Sequence, residues 1–103
     1  MTTLDTTNQI CIPSLKILGD YWTLRIVDVL SGGELRYAEI KRRIDDMNPV
    51  TLSTRLKKLE ANGLVVRTES SRADVSYMLT DLGRKAIPVL DAVNAYSAAA
   101  AQT

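Results

Sequence analysis

The chain has 103 residues, a formal net charge of +1, 46% hydrophobic and 24% charged residues, the size and balance of one folded domain, with no room for a core and a deep substrate cleft together. With no histidine and a single cysteine, Ser-His-Asp and Cys-His catalysis, an intrachain disulfide and a structural zinc site drop out as expectations. No apolar run approaches the ~18 residues that span a membrane, and residues 1–10 lack the basic and apolar regions of a signal peptide, so the expectation is a cytoplasmic protein with no cofactor, no membrane partner and no enzymatic activity.

Residues 1–10 are polar and Thr-rich and predict a flexible N-terminal segment ahead of one domain over 11–103. From Leu15 onward, Leu18, Trp22, Ile26, Val29 and Leu30 recur at helical spacing. Gly19 and Asp20 interrupt the run, and Asp20 suits an N-cap, which predicts a short first helix and a second over 21–31. Ser31-Gly32-Gly33 ends it, and Glu34 to Tyr37 are extended at most. Another short helix follows, with Tyr37, Ile40 and Ile44 on one side and Glu39, Lys41, Arg42 and Arg43 on the other.

Asn48-Pro49 opens the next helix with a favoured cap and a proline whose missing N–H costs nothing there. Leu52, Leu56 and Leu59 form its inner stripe, and Asn62-Gly63 ends it. Residues 64–69 and 75–79 predict two strands, joined by the polar loop Ser70 to Asp74. Thr80 caps a final helix, kinked at Pro88, whose apolar face carries Leu82, Ala86, Val89, Leu90, Val93 and Tyr96. Two short helices across a turn, followed by a β-hairpin, describe a winged helix-turn-helix: mainly α, with a small antiparallel hairpin as the wing.

The charge distribution says more than its sum. Residues 34–67 hold eight Lys or Arg against five Asp or Glu, so the positive surplus sits in the middle third. On the helix over 49–62, Thr51, Thr54 and Lys58 lie opposite Leu56 at about 100° per residue, flanked by Val50, Arg55, Lys57 and Asn62. Short hydroxyls permit close approach to base edges, Arg grips guanine, and lysines farther along fit phosphates. A solvated helix face with ordinary surface charge is the plain alternative. Three features weigh against it: Arg36, Lys41, Arg42 and Arg43 in the region of the preceding helix, Arg72 at the hairpin tip, and the order of the elements. The candidate DNA-binding set is therefore Arg36, Arg42, Arg43, Asn48, Thr51, Thr54, Arg55, Lys58 and Arg72, with Arg55 expected on guanine and Asn48 as cap and phosphate contact.

The residues also carry a resemblance. Cys11 with Pro13, then Gly19-Asp20-Tyr21-Trp22-Thr23-Leu24, Leu35 to Ile40, Leu52 to Val65, and Tyr77 to Arg84 resemble the HxlR-type transcriptional regulators of bacteria and archaea. The match runs from about Cys11 to Tyr96 and departs from the family pattern at Ile12, Tyr21 and Ala38. It implies a small winged-helix protein that binds a pseudo-palindromic operator as a homodimer through its N- and C-terminal helices. It also implies that residues 49–62 are the recognition helix and Ser70 to Asp74 the wing tip. In some members the equivalent of Cys11 senses oxidants or electrophiles. Read here, Cys11 is either such a thiol or a half-buried small hydrophobe, and the nearest cation in sequence is Lys16.

Independently of the family, the last helix is more apolar than one small core needs, which favours a two-fold dimer. Trp22 and Tyr77 read as core, Tyr96 as interface, and Asp45-Asp46 as a solvated turn. Winged-helix domains also serve as protein-interaction modules without nucleic acid, and the small net charge keeps that alternative open. The operator, the regulatory sign and any small-molecule effector are not written in the sequence.

Overall fold

The computed structural model describes residues 12–70 and 74–102. Its elements run α1 (Ile12–Leu18), α2 (Tyr21–Leu30), β1 (Leu35–Arg36), α3 (Tyr37–Arg43), α4 (Pro49–Ala61), β2 (Val65–Ser70), β3 (Asp74–Leu79), α5 (Asp81–Arg84) and α6 (Ile87–Ala101). The expected flexible segment over 1–10, Cys11 and the wing-tip residue Arg72 lie outside the described residues.

Capping chemistry sets the helix starts. The Asp20 carboxylate accepts from the Trp22 N–H at 3.4 Å and from the Thr23 hydroxyl at 3.3 Å, opening α2. Asn48 Oδ1 accepts from the N–H groups of Val50 and Thr51 at 2.8 and 3.2 Å, opening α4 with Pro49 in its first turn. At the other end of α4, Gly63 takes a left-handed φ of +81°, and the Leu64 N–H closes on the Leu59 carbonyl at 2.9 Å.

One core joins these elements. Ile26, Val27 and Leu30 of α2 meet Ile40 and Ile44 from the α3 region, Leu52, Leu56 and Leu59 of α4, and Tyr77 and Leu79 of β3. The three α4 leucines are at most 1% exposed, and full burial of a leucine is worth about 1.5–3 kcal/mol. That stripe fixes which face of α4 turns outward.

The sheet is antiparallel with order β1-β3-β2. β2 and β3 pair as a hairpin from Val65 opposite Leu79 to Ser70 opposite Asp74, and β1 adds Leu35 opposite Tyr77. Thr80 ties the hairpin's base: its hydroxyl donates to the Gly63 carbonyl at 2.5 Å and accepts from the Gly83 N–H at 3.0 Å. Gly83 is buried so tightly that a Cβ would stand 2.0 Å from the Leu64 carbonyl oxygen, and only glycine lets α5 approach this closely. Helix-turn-helix plus a three-stranded wing sheet is the winged helix-turn-helix architecture that the sequence predicts.

Two expectations change. The single kinked C-terminal helix is two helices, α5 and α6, separated at Lys85–Ala86. Pro88 stands in the first turn of α6, where a proline starts a helix more readily than it bends one. Leu82, expected on the same apolar face as Ala86, is 55% exposed while Ala86 is buried. Trp22 is half-buried against the core margin and meets the Tyr21 ring edge-on at 4.7 Å.

Candidate nucleic-acid interface

The outward side of α4 carries Val50, Thr54, Lys57, Lys58 and Ala61, all exposed, with Thr51 half-buried at its edge. Its first turn is held to α3: the Tyr37 hydroxyl donates to the Pro49 carbonyl at 3.5 Å and lies 3.3 Å from the Ser53 hydroxyl. The two helices of the helix-turn-helix are thus locked by an aromatic hydroxyl as well as by leucines.

Arg55 does not join the outward set. Its guanidinium forms an ion pair with Asp20, the residue that caps α2, and the two side chains are 31% and 18% exposed. One carboxylate therefore caps α2, receives the buried Thr23 hydroxyl and anchors α4. The expected Arg55 contact with guanine would require breaking this half-buried pair.

The remaining predicted residues are dispersed around α4. Asn48 is engaged in capping, and Thr51 and Thr54 lie one turn apart on α4, with Lys58 one turn beyond Thr54. Arg42 and Arg43 are exposed in the last turn of α3 beside Lys41, where cations complement the helix dipole. Arg36 precedes α3 with its side chain 67% exposed and lies 3.8 Å from Asp74 across the sheet. Its N–H donates to Glu39 at 2.9 Å, which secures the start of α3.

The structure adds Arg67 to the basic surface and brings it together with Lys57. A cleft of about 730 Å³ separates α4 from the sheet, and Arg36, Lys57 and Arg67 line it together with the acids Glu60 and Asp74. Periodicity puts Lys57 on the flank of α4, whereas Arg67 belongs to no basic run in the sequence. The strand's period of two puts Arg67 on the same side as the buried Val65, toward α4, which is the signal that could have found it. Its pKa is raised, first by the hydrogen bond to Glu69 at 3.1 Å. Arg25 is raised as well, mainly by its 2.8 Å bond to the Tyr21 hydroxyl, and it lies 3.6 Å from Asp46. Among the described residues, no group of His, Cys, Asp and Glu could hold a metal, and no helix is long and apolar enough to cross a membrane.

An α-helix with an open outer face has the dimensions to enter a major groove, and cationic flanks suit phosphates. Residues 17–103 match the model of the HxlR-like helix-turn-helix family. The chain is 37% identical over 81 residues to an uncharacterized HTH-type transcriptional regulator from Halalkalibacterium halodurans, covering 76% of this chain and 72% of that one. It is similar in structure to a protein from Porphyromonas gingivalis described as a MarR-family transcriptional regulator, with TM-score 0.77, 31% identity and coverage of 82% and 85% of the two chains. The reduced form of the transcriptional regulator YodB from Bacillus subtilis matches with TM-score 0.76 and 30% identity over 86% of this chain and 92% of that one. These relatives are regulators, not enzymes. The chain belongs to the HxlR-like helix-turn-helix family of transcriptional regulators.

Proposed function

We propose that the chain binds double-stranded DNA sequence-specifically as a homodimer, on a pseudo-palindromic operator, with α4 in the major groove. The observation that carries this reading is the division of α4: three leucines fully buried, and an opposite face of short side chains and lysines left open. Thr51, Thr54 and Val50 then approach the bases. Lys57, Lys58, Arg36, Arg42, Arg43 and Arg67 contact the phosphates, and Arg72 serves the wing tip in the minor groove. Arg55 acts as the strut that holds α4 to Asp20. Such a protein works in the cytoplasm, where the DNA is.

The dimer is supported by α6, a 15-residue helix without one buried residue, on which Val93 is 45% and Tyr96 74% exposed. Two copies place two recognition helices about one helical turn apart on the duplex. The reading extends to Cys11 as a thiol sensor, since the relative YodB is known in both a reduced and a diamide-treated form. Diamide would take two electrons and two protons from two Cys11 thiols, becoming the hydrazine, and leave a disulfide between the copies.

Fluorescence anisotropy on duplexes from upstream of the chain's own gene, against random DNA, tests this over a range of salt. Tight binding to one segment that weakens steeply with salt is expected. Oxidant should shift that binding in the wild type and leave Cys11→Ser unchanged. Weak, equal binding to every duplex would favour a protein-interaction module instead.

A further inference from the structure

We propose that the half-site is read through thymine C5-methyl groups, with Val50 as the specificity-determining residue and Thr51 and Thr54 beside it, and not through guanine gripped by arginine. This rests on the reading of α4 as a recognition helix.

The N-terminal half of a recognition helix reaches the base edges. At the start of α4, the two side chains that could pair bidentately with guanine or adenine, Arg55 and Asn48, are already engaged. Arg55 is paired with Asp20. Asn48 would need its carbonyl oxygen for adenine, and that oxygen accepts two backbone N–H groups. The Ser53 hydroxyl faces Tyr37 at 3.3 Å. Residues 47–54 contain no charge at all.

What remains outward is apolar or nearly so. Val50 is 74% exposed in the first turn, and Thr54 is exposed one turn later. Along α4 itself, the first outward cation is Lys57, seven residues beyond Val50 and about 10 Å along the axis. With the helix tip on the bases, that distance places Lys57 at the level of the backbone.

Valine suits the task physically. A β-branched side chain in a helix has one strongly preferred rotamer, so its two methyls are held in place before contact and little entropy is lost on binding. Thymine alone among the four bases presents a methyl in the major groove. A guanine in that position would leave two acceptors unpaired against Val50, which disfavours it.

The test begins with selection from a random duplex pool by the full chain. Each thymine of the enriched duplex is then replaced by uracil, which removes the methyl and keeps the pairing. We expect thymines under the helix tip, and about a fourfold loss for uracil at one or two of them, equivalent to the ~0.8 kcal/mol of one buried methyl. Val50→Ala should bind thymine and uracil equally at one of those positions, while Val50→Thr, which keeps one methyl and the branching, should retain part of the difference. A tightly bound site built on guanine, or one indifferent to uracil, would overturn this inference and leave DNA binding intact. No enrichment and no binding to any duplex would overturn both.

Discussion

The two longest helices, α4 and α6, resolve the same problem in opposite ways. In α4, Leu52, Leu56 and Leu59 are at most 1% exposed, and the polar face is outward. In α6, the more apolar of the two in sequence, nothing is buried: Val89 and Leu90 are half-covered, Val93 is 45% exposed at the edge of a cleft against α2, and Tyr96 is 74% exposed. The intramolecular cover runs out near Leu90. An isolated helix of about 12–15 residues is marginal in water, and in the proposed dimer a second copy covers the outer half of α6. Apolar content therefore signals a need for cover without saying which chain supplies it. In the proposed dimer, α4 draws its stability from its own chain and α6 from its partner.

Substitutions separate the two cases. Leu56→Ala should destabilise the domain by about 2–5 kcal/mol in a denaturant titration, because the cavity it leaves is fully enclosed. Asp20→Ala should cost about 1–2 kcal/mol through the lost cap. It should also lower DNA affinity, since the strut from Arg55 to α2 goes with it; unchanged affinity would remove Arg55 from the account. Tyr96→Ala should alter the unfolding of the isolated chain by no more than about 0.5 kcal/mol, yet weaken self-association and make the melting temperature less dependent on concentration. Lys57→Ala should leave folding unchanged, weaken binding alike on all sequences and lower the salt slope by about 1.

Local chemistry made most of the fold legible. Asn48-Pro49 and Asn62-Gly63 bracket α4 because caps and left-handed glycines act within a few residues. Asp20 was readable as the α2 cap for the same reason. Its second role was not, because the Arg55 partner lies 35 positions away and only the packed fold brings them together. Periodicity counted Arg55 toward the outer face, whereas its long side chain turns from the edge of α4 toward α2. The break at Lys85–Ala86 was also hidden: helical spacing continues through it, and the close approach of Gly83 to the Leu64 backbone is a tertiary constraint. Of the basic surface, runs such as Lys41-Arg42-Arg43 stood out, while Arg67 alone in a strand did not.

Sedimentation equilibrium of the full chain, free and with the selected duplex, tests the central claim most directly. The account predicts a mass of two chains in solution and two chains on each operator, with Tyr96→Ala shifted toward one. A chain that stays monomeric both free and on a tightly bound duplex would contradict it.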